Sequence, residues 1–446
     1  MARSRGLVPV LVLVLAVGAV AAIGLGIATF GGNGSPRAAS TGPAASRTPT
    51  PTPTPTAEPT APVWGFVRSD EVAPPLGVAR TPAPFVQAGS WQSVAGTREA
   101  SATVIRRDTG HYNVIFPGVG VPGGRGVAVA SAIGEDPVSC HTETWTPTGL
   151  AEEVTLTCRS PAGTYVDSRF TALFTFAPAS YRPSSTLPDA YFRGRGTNPP
   201  TGGQPDSVPP YMYLRDDAPT EALVQAGNFY NVVGPTAPLA IKRIGVGHYS
   251  IDLIGPAYSS REGNNLQVNA VGSTPAGCNP LGRDELADRQ TIFVGCAVGE
   301  TWTDTPFVLL YANQHAMIPA DNVAFGHAFS GQEVEATGKI VQPPLGRTVN
   351  AWDKYTASSA GKVNTVRHTS AGTYEVTFPS VGRVPDDVQV VAYGEPTHRC
   401  AIGGWTLPGA GTPGDVTVTI VCVDPRGARS DTQFSLAYLS AAALPS

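Results

Sequence analysis

Charge is scarce in this chain. Asp, Glu, Lys and Arg make up 14% of 446 residues, and the formal net charge is −4. That balance excludes a strongly basic nucleic-acid binder. It also excludes a coiled coil or an Ala/Glu/Lys-rich helical protein. Methionine occurs only 3 times, while 50 Gly and 43 Pro together supply about 21% of the residues. Such dense punctuation leaves no room for long helices in the bulk of the chain. No G-x-S-x-G, H-E-x-x-H, C-x-x-C or D-x-[DN]-x-[DN]-G pattern occurs, so the local signatures of serine hydrolases, zincins, zinc ribbons and EF-hand loops are missing. No cysteine precedes Cys140, which excludes a lipid anchor on a cysteine near the N-terminus. At about 100–200 residues per domain, two to four domains fit.

What is present starts with an address. Arg3 and Arg5 precede an uncharged run from Leu7 to Phe30. At about 1.5 Å per residue that run spans a bilayer as a helix. It reads as a signal-anchor, or as a signal peptide cleaved after Ala19-Val20-Ala21. The run continues nine residues beyond Ala21, which favours the anchor. Either way the remainder is exported. The positive-inside rule keeps the N-terminus in the cytoplasm and places the C-terminal region outside, as a single-pass cell-membrane protein or, if cleaved, a secreted one. Residues 31–62 form a disordered Thr/Pro-rich linker centred on Thr48-Pro49-Thr50-Pro51-Thr52-Pro53-Thr54-Pro55-Thr56. Alternating proline blocks helix and ladder alike and gives an extended spacer, whose threonines are candidate O-glycosylation sites.

The rest is one unit written three times. Gly110-His111-Tyr112-Asn113-Val114-Ile115-Phe116-Pro117 recurs as Gly247-His248-Tyr249-Ser250-Ile251-Asp252-Leu253 and as Gly372-Thr373-Tyr374-Glu375-Val376-Thr377-Phe378-Pro379. Each is a turn glycine followed by strict alternation, the pattern of a half-buried strand. A second strand carries Val127 and Val129, Leu266 and Val268, or Val388 and Val390. A third ends in Cys158, Cys296 or Cys422, and a last one opens with Asp167, Asp304 or Asp431 three residues before a Phe. These landmarks shift by 137 or 138 residues between the first two copies and by 122 to 127 between the next two. The units are 63–176, 190–311 and 322–439, each predicted to hold six or seven short strands. The fold class is all-β: three tandem antiparallel β-sandwich-like repeats, arranged as beads. One propeller built from the three repeats is the alternative.

Six cysteines fall two per unit, 18, 18 and 22 residues apart. In an oxidising compartment that pattern pairs Cys140 with Cys158, Cys278 with Cys296, and Cys400 with Cys422. Each second cysteine shares a face with the apolar residues of its strand, so the bridges are expected to be buried. The run Gly-x-Tyr-x-Val-x-Phe-Pro, Val-x-Val, Cys, Trp, Val-x-Val-x-x-Cys, Gly, Asp-x-x-Phe resembles Cys-paired β repeats in secreted bacterial proteins of the high-GC actinobacterial type. The match is fullest from Gly372 to Tyr438 and weakest in unit 2, where Arg283 stands at the place of Trp145 and Trp405. The resemblance implies the paired cysteines and carries no activity.

The residues name no catalytic, cofactor or metal site. Gly118-Val119-Gly120-Val121-Pro122-Gly123 matches G-x-G-x-x-G but leads into Val127-Ala128-Val129, a strand rather than the helix that a dinucleotide loop needs. It therefore reads as a turn. His111 and His248 read as solvated turn residues. Asp216-Asp217 and Asp386-Asp387 likewise read as solvated, with adjacent acids on a strand facing opposite ways. The recurrent Asp167, Asp304 and Asp431 read as turn caps. Trp91, Trp145, Trp352 and Trp405 occupy repeat-matched positions and read as core. Tyr165 and Trp302, two residues before the recurrent Asp at a predicted hairpin tip, are candidate ligand contacts; unit 3 has Arg429 there. The expected function is an exported, membrane-tethered, non-enzymatic adhesion or interaction module with a glycan or protein partner and no nucleic acid. A cell-envelope glycan-binding protein, and a hydrolase with a site between repeats, are the alternatives.

Overall fold

A computed structural model describes residues 57–181, 211–216, 224–225, 228–231, 239–254, 258, 263–286, 288–334, 339–352, 355–406 and 414–443. The apolar segment 7–30 and most of the linker lie outside these residues. Among the described residues no helix is long and apolar enough to cross a membrane.

The body is all-β, and the three units repeat one topology. Each pairs an inner set of four strands with an outer set of five; the outer set of unit 3 and the inner set of unit 1 run on into one nine-stranded sheet where Ile402 pairs with Ile133, and Thr301–Trp302 adds a sixth strand to the outer set of unit 2. In unit 1 the inner sheet runs Gln87–Gly89, Val63–Ser69, Arg169–Phe176, Val127–Ile133, and the outer one Ala79–Arg80, Thr103–Asp108, His111–Phe116, Ala151–Arg159, Ser139–Thr148. Unit 2 repeats this with Asn228–Asn231, Tyr211–Asp216, Phe307–Asn313, Asn264–Ala270 against Val224–Gln225, Leu239–Gly245, His248–Ile254, Arg289–Val298, Gly277–Glu285. Unit 3 repeats it with Ala357–Ser358, Val323–Phe329, Gln433–Ala443, Asp386–Tyr393 against Thr348–Asn350, Thr365–Ser370, Thr373–Gly382, Gly414–Val423, Arg399–Thr406. Neighbouring strands within each unit are antiparallel, and the strand pairing between units 3 and 1, Ile402 with Ile133, is parallel. The units are sandwiches, and the propeller alternative does not form. Among the described residues units 1, 2 and 3 have nine, ten and eleven strands, more than the six or seven expected, because pieces of two to four residues are too short to show a period.

Alternation makes the sandwich. In His248–Ile254 the side chains of Tyr249, Ile251 and Leu253 are buried while those between them are half-buried. Tyr112, Val114 and Phe116, and Tyr374, Val376 and Phe378, do the same work in the other units. Each outer sheet ends in a hairpin whose cysteines sit directly opposite: Cys140↔Cys158, Cys278↔Cys296 and Cys400↔Cys422. All three bridges form, with Cα atoms 4.1 Å apart. Cys158, Cys296 and Cys422 are fully buried. Closing a loop of this length contributes about 3 kcal/mol in the chain-entropy account.

The repeat glycine is fixed by this hairpin. Gly110, Gly247 and Gly372 have φ of +67°, +62° and +61°, and their carbonyls accept the N–H of Cys158, Cys296 and Cys422. A Cβ at Gly372 would lie 2.4 Å from the carbonyl oxygen of Cys422. No rotamer relieves a clash with backbone.

The units are not beads. The cysteine hairpin of each is set against the next unit's inner sheet, in the order 1 to 2, 2 to 3 and 3 back to 1. Two residues after its first cysteine, each hairpin offers a carbonyl to a glycine of the neighbour. Gly272 N–H donates to Thr142 O at 3.2 Å, Gly394 N–H to Pro280 O at 2.9 Å, and Gly134 N–H to Ile402 O at 2.8 Å. The following carbonyl is capped as well, by a different side chain at each joint. Arg159 Nη2 donates to Ser273 O, Asn279 Nδ2 to Glu395 O, and Arg429 Nη2 to Glu135 O, each at 2.6 Å. Head-to-tail contacts of this kind form a closed circuit when the rotation closes.

The inner sheets therefore face each other, and Val127–Ile133, Phe307–Asn313 and Asp386–Tyr393 are buried at every position. Their mutual faces carry polar groups, several of which pair across the joints. Ser131 donates to Gln389 Oε1 at 2.9 Å, Asn269 Oδ1 accepts Ala130 N–H at 2.9 Å, and Asn265 Nδ2 donates to Leu436 O at 2.9 Å. Asp386 and Asp387 correct the expectation of solvated acids. They do point to opposite faces, but neither is exposed at all. Asp387 accepts from Thr171 of unit 1 and from Gln389, while Asp386 accepts Trp405 Nε1–H at 2.7 Å. Burial pushes both carboxyls up to about 7.

Two glycine positions separate local from inter-unit constraint. Gly272 has φ +103° with nothing within 4 Å of an added Cβ. Gly372→Ala is expected to cost about 2–4 kcal/mol and Gly272→Ala about 1–2, read from urea unfolding midpoints. Equal losses would refute the backbone clash at Gly372.

Candidate functional site

Each unit's recurrent aspartate closes a clasp over its turn glycine. Asp167 accepts from Gly110 N–H at 2.9 Å, from Tyr112 Oη–H at 3.0 Å, and from Arg106 at 2.8 and 2.6 Å. Asp304 repeats all of this with Gly247, Tyr249 and Arg243. Asp431 keeps Gly372 N–H at 2.7 Å and replaces the arginine with His368 Nε2 at 2.9 Å. The Arg243 guanidinium holds the Asp304 carboxyl below its ordinary value, against a smaller opposing effect of burial. These acids are occupied by their own backbone, as the cap reading expects.

The clasp presents the candidate ligand contacts. Tyr165, Trp302 and Arg429 occupy one position, opposite Arg159, Ala297 and Val423 of the cysteine hairpin. Tyr165 is not an open tip. It is half-buried, with Arg159 3.7 Å over its ring and His111 3.9 Å from it, centroid to centroid. Trp302 is 38% exposed. Its ring lies 5.5 Å from that of His248, which lies 6.3 Å from that of Phe293. The three form an aromatic strip on the outer sheet of unit 2, and partial burial lowers the His248 imidazole below its ordinary value. His111 and His248 are thus ring partners of the tip aromatics rather than solvated turn residues. Unit 3 loses both members together, as Thr373 and Arg429. Trp91 and Trp145 are core at 0% and 1% exposure, whereas Trp352 and Trp405 are half-buried.

Two central backbone donors of the Gly118–Gly123 loop are already taken. Gly120 N–H donates to Leu150 O at 2.9 Å and Val121 N–H to Glu152 Oε2 at 2.8 Å. The Glu152 carboxyl takes the Val121 N–H, and the strand Val127–Ile133 follows where a dinucleotide loop needs a helix. Burial pushes Glu152 up to about 8, opposed by the Val121 N–H bond.

Where the three units meet, their disulfides surround a cavity of about 40 Å³ lined by Cys140, Cys278, Cys400, His141, Asn279 and Arg399. Its size suits a water molecule. Arg399 donates to Pro396 O and His398 O at 2.7 Å and to Ala297 O of unit 2 at 2.9 Å. Burial lowers its guanidinium to about 10. Burial, with Arg159 nearby, lowers His141 to about 4. Sequence reasoning missed Arg159, Asn279, Arg399 and His141 because none recurs in type from unit to unit. The glycines they flank did carry a signal, as Ala132-x-Gly134, Ala270-x-Gly272 and Ala392-x-Gly394. Asp216 and Asp217 lie outside the residues whose side chains are described. Among the described residues no group of three or more His, Cys, Asp or Glu is placed to hold a metal ion.

Glu152 yields a pH test. Its folded value lies above its unfolded one, so the folded protein keeps a proton that the unfolded chain loses first. Stability from this group falls as pH rises from about 4.5 to about 8 and is level beyond. Glu152→Gln is expected to match wild type near the acid end and to exceed it above that window, by about 2–4 °C in Tm per kcal/mol recovered. Thermal melts across pH check this; a constant offset would refute it. No family model matches this chain, and neither a curated protein nor a solved structure matches it.

Proposed function

We propose that this chain is an exported, membrane-tethered surface protein whose three-unit body is a non-enzymatic adhesion or interaction module. The observation that carries the reading is one disulfide in every unit with no free cysteine among the described residues. Such usage belongs to an oxidising compartment. The apolar run 7–30 and the Thr/Pro spacer supply the means of tethering. Cell fractionation with intact-mass measurement after thiol alkylation tests it. The expected result is envelope or medium localisation with all six cysteines unalkylated; a cytoplasmic, alkylated protein would overturn it.

A second reading, binding of an envelope glycan, is supported by the strip Phe293–His248–Trp302. An exposed indole on a short hairpin stacks on the apolar face of a sugar or enters a partner's pocket. Trp302→Ala is expected to reduce retention on insoluble cell-wall polysaccharide several-fold. Equal retention of variant and wild type would remove that reading and leave the first intact.

A further inference from the structure

A cavity larger than the one between the disulfides lies away from the hairpin tips. It is a cleft of about 220 Å³ in unit 1, between the end of Val63–Ser69 and the segment that follows it. Its charged walls are Arg68, Asp70, Glu71 and Arg80, and Pro74, Pro82 and Val86 give it an apolar side. The charges stand as two ion pairs: Arg68 Nε to Asp70 Oδ1 at 2.9 Å, and Arg80 Nε to Glu71 Oε2 at 3.7 Å.

The cleft is built, not incidental. The Tyr112 hydroxyl of the clasp lies 3.0 Å from both Asp167 and Val72 O, which share its one proton, and Gly77 N–H donates to Arg106 O at 2.9 Å. Gln87 takes Ala102 N–H on its oxygen at 2.6 Å and donates its amide to Pro82 O. Both walls are thus pinned to the unit 1 sandwich. The floor is pinned to unit 3. The Arg68 guanidinium lies 4.8 Å from the Trp405 ring and 3.9 Å from Asp386, and only 18% of its side chain is exposed. An anchored first shell with packed support behind it is how binding groups are held in place.

Two cations and two anions cancel, so the cleft selects neither a phosphate nor an ammonium. It offers donors and acceptors side by side on planar groups, next to an apolar wall. A sugar ring has that composition: hydroxyls at its edge and C–H groups on its face. The volume lies below the roughly 300–1,000 Å³ of pockets that take drug-sized ligands, which suits one ring. We infer that this cleft binds a single neutral sugar residue of hexose size, with Arg80 and Glu71 holding its hydroxyls and Pro82 and Val86 under its face. The site rests on the surface-protein reading only for where it meets such a sugar; the binding itself does not.

Saturation-transfer NMR on the disulfide-bonded protein tests this with millimolar D-glucose, D-galactose, D-mannose and N-acetyl-D-glucosamine. Inorganic phosphate and glycine are the charged controls. At least one sugar is expected to receive saturation. Its apparent Kd should rise at least about tenfold in Arg80→Ala and in Glu71→Gln, as for loss of a charge-assisted hydrogen bond. Both residues are about half exposed, and unchanged thermal melts would show the variants folded. The inference is overturned by no transfer to any sugar, by transfer to glycine or broadening of the phosphate signal without transfer to sugars, or by sugar binding that survives both cleft variants. Binding lost in Trp302→Ala and kept in the cleft variants also overturns it, and assigns the sugar to the aromatic strip.

Discussion

The organising constraint is a backbone carbonyl two residues beyond the first cysteine of each unit. The disulfide hairpin is the edge of its own outer sheet, and an unprotected edge invites pairing with other chains. Here the edge is used inside the molecule. Thr142, Pro280 and Ile402 each give their carbonyl to a glycine N–H of the next unit. The bridge matters to this contact because it fixes the register of the hairpin, and a one-residue slip would turn the carbonyl away. The repeat glycine matters for the same reason. Gly110, Gly247 and Gly372 seat the second cysteine, and their left-handed turns are held by Asp167, Asp304 and Asp431. Clasp, hairpin and joint are one chain of dependence.

Polar joints do not drive association by themselves. A hydrogen bond contributes about 0.5–1.5 kcal/mol net, because water is given up on both sides. Each joint has only a few, and Asp386 and Asp387 are costly to bury. Covalent connection changes the balance, since linked units meet at high effective concentration and need little interface energy to stay together. What the polar faces add is choice. Ser131 with Gln389, Asn269 with the Ala130 amide, and Asn265 with Leu436 O are satisfied in one relative arrangement. A slipped packing would leave buried groups without partners.

The same polar faces explain what sequence could and could not reveal. Within a unit, the period-2 pattern of Tyr249, Ile251 and Leu253 and the cysteine spacing were legible, because sheet and bridge are local. Strands such as Asn264–Ala270 and Asp386–Tyr393 alternate polar with apolar residues, and such alternation reads as one face in water. The polar face is covered by another unit, so Asp387 looked solvated and is buried. The joints escaped for a related reason. Arg159, Asn279 and Arg429 reach equivalent carbonyls from different positions, two with a guanidinium and one with an amide. Repetition exposes what is kept, and these contacts keep the acceptor while changing the donor. His111 with Tyr165 and His248 with Trp302 were visible as separate residues and became pairs only across neighbouring strands.

Threefold repetition also says where to look for function. What recurs in all three units, the clasp, the bridge and the glycine joint, is already accounted for by folding. Binding to something outside needs groups left over when those demands are met, and those lie where the copies diverge. Trp302 is open where Tyr165 is covered by Arg159 and Arg429 is turned to the neighbouring unit. The cleft at Arg68 and Arg80 draws on the tyrosine of a shared clasp for its wall and on a half-buried tryptophan of unit 3 for its floor. Conserved architecture thus supplies rigidity, and the segment beyond Ser69 supplies the chemistry. A ligand seated there would touch unit 1 directly and would meet, in Arg68, the side chain that also packs on Trp405 of unit 3.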